Sequence, residues 1–493
     1  MGYSQFLNMI PEAFLVLALI LVFFADFSLM KSERKNAVLS KLTGALLICL
    51  MLLTTTVSPA QAFGGMYISS QAANVMKMIL TLGTLIVVIM AQPWLEGGCQ
   101  IVNSKSSSSK YSGEFYLLVL STLLGMFIMM SSGHFLLFFL GLETASVPMA
   151  CLVAFDKWKR NSAEGAAKYI LTATFSSGVM LYGLSFLYGG VGTLYFDDVA
   201  QRIAYFAQYK SQLPLLIMGL VFFFSGLGFK LSLVPFHFWT ADTYQGAPTP
   251  VTGYLSVVSK GAAAFALMII LVKAFGPLTQ YWEYLLYIVI VLSITIANLF
   301  AIRQSELKRF MAFSSISQAG YIMLAVIGSA QVGMTALMYY VLIYVVANMA
   351  VFTVISTVEQ NNGGTTQMSS YDGLYQTNPK LAFLMTLALF SLAGIPPFAG
   401  MFSKFFVFMA AAQQGSFWAY FVVFIALVNT VVSLYYYLLI VKAMYIKQTD
   451  SPLPTFTTAG STRLALAVCT AGIVLFGICS CIYDYLFAAS ATL

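Results

Sequence analysis

Residues 228–239, GFKLSLVPFHFW, and residues 393–404, AGIPPFAGMFSK, each place a lysine and proline close together inside a long apolar segment. A charge at bilayer depth is costly and normally marks an ion or proton path. Proline removes a backbone donor and crowds the preceding turn, so it breaks the helix beside it. Two charged, broken helices in corresponding places predict a transporter core.

The surrounding chain has the composition of a protein dissolved in lipid. Of its 493 residues 60% are apolar and 8% charged, with a mean hydropathy of +0.87, which excludes a water-soluble globule with a polar surface. Apolar runs of about 20 residues, the length that spans a hydrocarbon core, recur fourteen times: 10–30, 38–57, 74–92, 116–131, 134–155, 165–189, 212–234, 250–275, 281–302, 307–328, 332–358, 380–411, 416–446 and 462–488. The first lacks a basic leader and exceeds a signal-peptide core, so it reads as a retained helix. PAQA at 59–62 follows the second run and is read as a loop, since cleavage there would be out of place.

Lys and Arg accumulate in short cytoplasmic loops, and the basic loops alternate as that rule requires. They hold Lys31, Arg34 and Lys35; Lys105 and Lys110; Lys157, Lys159 and Arg160; Arg303, Lys308 and Arg309; and Lys442, Lys447 and Arg463. The intervening loops carry chiefly Arg202 and Lys210. With an even helix count, both termini are expected outside. The net charge of +7 is this topology signal plus buried lysines, so no nucleic-acid partner is expected. The longest polar stretches, 363–380 and the Ser-rich 104–110, are loop-sized, and no soluble domain is visible.

Cys49, Cys99, Cys151, Cys469, Cys479 and Cys481 form no CxxC and no Cys/His grouping for zinc or an iron–sulfur cluster. Neither a Walker A sequence nor a dinucleotide fingerprint is present. No catalytic residue, metal site or bound cofactor is expected in this chain.

The candidate site is therefore the set of ionisable groups expected deep in the membrane: Glu143, Lys168, Lys230, Lys260 and Lys404, with His237 beside the break. Lys77 and Lys273 lie near segment ends and are expected to snorkel to an interface. Polar side chains accompany the charges at helical spacing: Lys168, Thr172 and Ser176; Thr252, Ser256 and Lys260; Ser314, Ser317, Gln318 and Tyr321; Asn429, Ser433 and Tyr436 or Tyr437. Ser and Thr also serve as ordinary interhelical glue. His134 is nine residues before Glu143, on the opposite helix face at about 100° per residue, and reads as a packing residue. Asp26 reads as solvated.

The fold class expected is an all-α polytopic membrane protein of about 14 helices, with two inverted five-helix repeats that each contain a broken helix. Residues 1–115 form a three-helix segment, 116–275 the first repeat, 281–446 the second and 462–488 a last helix. The breaks fall at Pro235 and at Pro396 and Pro397, in the fourth helix of each unit. An odd number of helices per unit makes the second enter from the opposite side, an architecture that exposes backbone and dipole ends to a midplane site.

The stretch 234–266, VPFHFWTADTYQGAPTPVTGYLSVVSKGAAAFA, resembles the antiporter-like subunits of respiratory complex I, as do 134–149, 314–325 and 389–408. Within that family, GAPTPVTGYLSVVSK at 246–260 is most similar to the subunit N group. The resemblance covers almost the whole chain. Subunit M relatives usually carry glutamate where Lys404 stands, and subunit L relatives are longer. Subunits of multicomponent cation/proton antiporters share the fold but differ around 247–260.

What the resemblance implies is a proton-translocating subunit of an NADH:quinone oxidoreductase, in a bacterial cytoplasmic membrane beside subunit M and small membrane subunits. NADH, FMN, iron–sulfur clusters and quinone are then expected in partner subunits. Glu143 is implied to pair with Lys230, with Lys260 continuing the path and Lys404 leading outward. Beside that implied path, Lys168 on the next helix is expected to tune Glu143 and His237 to relay protons at the break. Many relatives have histidine where Gln318 stands, so that position departs from the pattern. Burial lowers a lysine's proton affinity and a nearby carboxylate raises it, which suits such a switch. A cation/proton antiporter module and a non-conducting scaffold are the alternative readings.

Overall fold

The computed structural model describes residues 3–32, 34–97, 111–209, 212–447, 453–479 and 481–491. Cys99, Lys105, Lys110, Lys210 and the Ser-rich stretch lie outside the described residues. Among the described residues thirteen helices are long and apolar enough to cross a membrane, and two shorter apolar helices meet at a break to make a fourteenth crossing.

The first three crossings are α1 (Ile10–Ser28), α2 (Lys35–Thr56) and α3 (Gln71–Gly97), with a two-stranded hairpin, β1 (Ala60–Ala62) and β2 (Tyr67–Ser69), between α2 and α3. Then follow α4 (Ser112–Met130), α5 (Phe135–Val153), α6 (Arg160–Val191), an amphipathic surface helix α7 (Phe196–Tyr209) and α8 (Leu213–Leu231). Past the first break come α9 (Phe238–Gly246), α10 (Thr249–Tyr254) and α11 (Lys260–Lys273), with a π-helical turn at Leu255–Ser259 between the last two. The remaining elements are α12 (Thr279–Ile302), α13 (Leu307–Ile327), α14 (Ala330–Asn361), a single turn α15 (Leu374–Thr377), α16 (Pro379–Ala393), α17 (Ala399–Ala412), α18 (Phe417–Tyr445), α19 (Gly460–Ile478) and α20 (Cys481–Ser490).

Burial follows position in the bundle. The spanning windows of α13 and α14 are buried along their whole length, whereas α1 and α18 are largely uncovered, the pattern of central and lipid-facing helices. One end of the bundle gathers the hairpin and the connections near Ser132, His134 and Tyr195, joined by the bridges Tyr67–Ser132 and His134–Tyr195. The other end carries the Glu306–Gln367 bridge and the basic connections.

Both breaks are real interruptions. At the first, Ser232 takes a left-handed conformation, φ 61°, and the freed groups find new partners, as they must in hydrocarbon. The Val234 amide donates to Ser293 Oγ of α12 at 2.9 Å, and Trp239 Nε1 donates to the Phe229 carbonyl at 3.1 Å. At the second, Gly394 is left-handed, φ 89°, and a Cβ there would meet Lys404 Cδ at 3.0 Å, so glycine serves both backbone and lysine.

Several expectations are corrected. The last apolar run is not one helix: α19 ends at Ile478 and α20 begins anew at Cys481. Lys77 does not snorkel. It is fully buried and its Nζ lies 2.7 Å from Glu12 Oε1, because α1, packed against α2 and α4, carries the carboxylate to it. Asp26 is paired with Lys35 at 2.7 Å rather than merely solvated. Lys308, counted among the loop charges, is buried with its Nζ 2.8 Å from the Ala247 carbonyl at the end of α9.

Candidate functional site

Lys230, in the last turn of α8, is 3% exposed and donates to Ser146 Oγ of α5 at 2.8 Å and to Tyr169 OH of α6 at 3.1 Å. Glu143 stands one turn before Ser146 on the same helix and accepts from Ser177 of α6. Among the described residues no ion pair within 4 Å joins Glu143 to Lys230. The implied pair is thus seen open, each member held by a hydroxyl. Residues three apart share a helix face, so the carboxylate and the lysine's present acceptor occupy adjacent steps of one stripe.

Lys260 begins α11 directly after the π turn, a distortion frequent at functional sites. Its Nζ donates to Ser315 Oγ of α13 at 2.8 Å and lies 5.5 Å from the centre of the Tyr244 ring. Tyr244 and Ser315 share a hydrogen bond of 3.3 Å, so hydroxyl, phenol and ammonium form one buried triangle. The expected stripe of Thr252, Ser256 and Lys260 is dissolved by the π turn: Thr252 and Ser256 bond nearby carbonyls, and Ser256 accepts from Asn348 at 2.7 Å.

Lys404 of α17 turns back to the break and donates to the Ala393 carbonyl at 2.9 Å, with its Nζ 4.9 Å from the Tyr321 ring centre. Gln318 of α13 donates to the neighbouring Leu392 carbonyl at 3.3 Å and accepts from Tyr340. It also donates to Tyr437 OH, which shares a bond with Ser314. The two carbonyls freed by the second break are therefore taken by a lysine and a glutamine. A cavity of about 10 Å³ lies against Lys404, Gln318, Tyr340 and Tyr344, room for about one water. The Tyr344 hydroxyl is buried and, among the described residues, has no hydrogen-bond partner within bonding geometry.

His237 stands at the N-cap position of α9, where its side chain makes no capping hydrogen bond. It is buried, its ring lies tilted over Phe238, and among the described residues its Nδ1 has no partner. His134 does cap α5: its Nδ1 accepts from the Leu136 amide at 3.1 Å and its ring packs edge-on to Tyr195.

Lys168 does not stand beside Glu143. Its side chain is 44% exposed and pairs with Asp242 Oδ2 at 2.6 Å and Glu164 Oε1 at 2.7 Å. Only eight residues into α6, it remains at the basic end of the bundle. Asp242 also binds Arg309 of α13, bridging the two units. Of the rest of that stripe, Thr172 bonds the Lys168 carbonyl within α6, while Ser176 bonds the Gly226 carbonyl and joins α6 to α8.

The site thus includes residues that sequence reasoning missed: Ser146, Tyr169, Tyr244, Ser315, Tyr340 and Asp242. Ser146 was findable, being one turn from Glu143. The tyrosines were not, because nothing local marks which of 28 faces a lysine. Among the described residues no three His, Cys, Asp or Glu side chains converge so as to hold a metal ion.

A second buried cluster lies outside this line. Tyr67 OH donates to Glu12 Oε2 at 2.9 Å, and Lys77 Nζ lies 3.3 Å from the same phenol and 3.5 Å from Ser69 Oγ. Burial first, then the Glu12 charge, pushes the Tyr67 phenol up, so it stays a donor to the carboxylate.

The family described as NADH:quinone oxidoreductase/Mrp antiporter, TM, matches residues 132–433. The chain is 57% identical over 486 residues to NADH-quinone oxidoreductase subunit N of Phocaeicola vulgatus, covering 99% of both chains. It is 49% identical over 488 residues to subunit N of Azobacteroides pseudotrichonymphae, covering 99% of this chain and 98% of that one. Among solved structures it superposes on a chain of respiratory complex I from Thermus thermophilus with a TM-score of 0.77 and 30% identity, covering 95% of this chain and 97% of that one. A chain of the Mrp complex from Dietzia shares the fold, with a TM-score of 0.81 at 20% identity, covering 100% of this chain and 98% of that one. With buried lysines at both breaks and likeness to these relatives end to end, the chain belongs to the NADH-quinone oxidoreductase subunit N family.

Proposed function

We propose that this chain translocates protons as a membrane subunit of an NADH:quinone oxidoreductase, along Glu143, Lys230, Lys260 and Lys404. The observation that carries the reading is the neutral surroundings of the three lysines. Each ammonium rests on hydroxyl or carbonyl oxygens rather than on a carboxylate. A serine hydroxyl accepts from an ammonium and donates to a neutral amine, so the Lys230 and Lys260 sites serve both protonation states by rotating a proton. Closing the gap between Glu143 and Lys230 favours the protonated lysine, and opening it releases the proton onward. The Tyr169, Trp239 and Tyr244 rings line the interval to Lys260, and Gln318, Tyr340 and the small cavity the interval to Lys404. His237, with a free buried nitrogen at the break, relays protons there. Lys168 acts with Asp242 and Arg309 at the basic end of the bundle.

Moving one proton against 100 mV requires about 2.3 kcal/mol, and this chain has no motif for redox or nucleotide chemistry. Quinone reduction in partner subunits, which carry the NADH, FMN, iron–sulfur and quinone sites, supplies that energy. The neighbours are the other membrane subunits, in a bacterial cytoplasmic membrane, with both termini outside by the charge of the loops. In this reading 116–275 and 281–446 are the two inverted repeats, appended to the segment 1–115 and followed by 462–488. Lys230→Ala in the assembled complex tests the proposal. Loss of proton pumping in vesicles with assembly intact is expected; normal pumping would overturn it.

A further inference from the structure

A groove of about 700 Å³ runs between α16 and α19 and is walled by residues 455–458, within the ~300–1,000 Å³ range of small-molecule sites. The wall is fixed by Asn378, 7% exposed, whose amide donates to the Pro454 carbonyl at 3.2 Å and accepts from the Phe456 amide at 3.3 Å. At the mouth stand Lys380, in the first turn of α16, and Arg463, in the first turn of α19. Arg463 Nε donates to Thr458 Oγ1 at 3.0 Å, which sets the guanidinium at the rim and leaves its terminal nitrogens free to bind. Lys380 has no hydrogen-bond or ion-pair partner among the described residues. Among the described residues no acidic side chain lines the groove, and beyond the rim Leu381, Leu384 and Leu466 give it an apolar floor.

Two cations at one end, no carboxylate among the described lining residues, and an apolar channel continuing along two helices match an anionic amphiphile. The rim also lies at the end of the bundle where the basic connections gather, the end at which anionic headgroups attract Lys and Arg. We propose that the groove is a binding site for one anionic phospholipid. Its phosphate sits between Lys380 and Arg463, where the guanidinium offers a paired-donor fork, and an acyl chain lies along α16 and α19. Neither cation belongs to the lysine line, so the proposal stands apart from the proton path.

The test uses the assembled complex extracted in mild detergent. Bound phospholipids are quantified by class in wild type and in the double variant Lys380→Gln with Arg463→Gln, and a photo-crosslinking residue is placed at Ala467 in the otherwise wild-type chain. The expected result is loss of one anionic phospholipid per complex, with zwitterionic lipid and quinone reduction unchanged, and a crosslink from position 467 to lipid. Unchanged anionic lipid in the double variant, or a crosslink to a neighbouring subunit instead of lipid, overturns the proposal. Should the double variant fail to assemble, the crosslink decides alone.

Discussion

Lys77 and Lys260 are buried alike, 0% and 1% exposed, yet they rest on different chemistry. Lys77 faces the Glu12 carboxylate at 2.7 Å, with Tyr67 and Ser69 completing its shell. Among the described residues Lys260 rests on the Ser315 hydroxyl and the Tyr244 ring, with no carboxylate in an ion pair with it. A carboxylate fixes the charge of its partner, since discharging either member strands the other in a medium of low dielectric. A hydroxyl makes no such demand. Burial alone therefore does not distinguish a lysine that holds the bundle together from one that can pass a proton; the oxygen it rests on does.

The largest effect should come from breaking the fixed pair. Lys77→Met leaves Glu12 buried and unpaired, a loss of about 3–5 kcal/mol. We expect less assembled complex and a lower unfolding temperature, while pumping per assembled complex stays at the wild-type value. Adding Glu12→Gln should restore much of the loss, because replacing both charges removes the stranded one. A single variant as stable as wild type would erase the distinction drawn here.

Lys260→Ala should do the reverse. Assembly is retained, and the rate of proton pumping measured in vesicles falls about tenfold, equivalent to ~1.4 kcal/mol on the controlling step. Normal pumping in this variant would make Lys260 a second structural lysine. Ser315→Ala is the sharper probe: it keeps the lysine but removes the side chain that accepts its hydrogen bond, at a cost of about 1–3 kcal/mol for an unsatisfied buried donor. A partial pumping loss with unchanged assembly is expected. A loss equal to that of Lys260→Ala would assign the essential proton handover to the serine itself.

Asp242→Asn should give the smallest change. The carboxylate joins Lys168 and Arg309, but its side chain is 30% exposed, and partly solvated pairs contribute about 0–1 kcal/mol. Stability should drop slightly at low ionic strength and converge with wild type as salt screens the bridge. A large, salt-independent loss would show the bridge to be an essential clamp between the two units.

Both breaks were legible in the sequence because proline and a charge within an apolar run leave few alternatives. The hairpin at 60–69 and the helix 196–209 were not, since each is a short element inside what hydropathy renders only as a connection. Within the site, the lysines announced themselves by their charge. Their acceptors did not: Ser315 is one of three serines in SSISQ at 314–318, and only the crossing of α11 over α13 selects it. The stripe at 252–260 misled because ideal helical spacing was assumed across a π turn. Lys168 misled because distance from a segment end was judged from an apolar run beginning at 165, whereas α6 starts at Arg160.

By itself the sequence determined the solvent, the number of crossings, the positions of the two breaks and which side chains bring charge into the membrane. These are local properties, set by run length, proline and the cost of desolvating an ion. Only the tertiary structure decided which oxygen each charge meets, that Glu12 neutralises Lys77, that Glu143 and Lys230 stand apart, and that Asp242 rather than Glu143 holds Lys168. Apart from Lys404 and Ala393, those pairings join residues 55 to 84 positions apart on different helices, from Lys260 and Ser315 to Lys230 and Ser146. They depend on how helices cross, and a linear pattern carries no record of that.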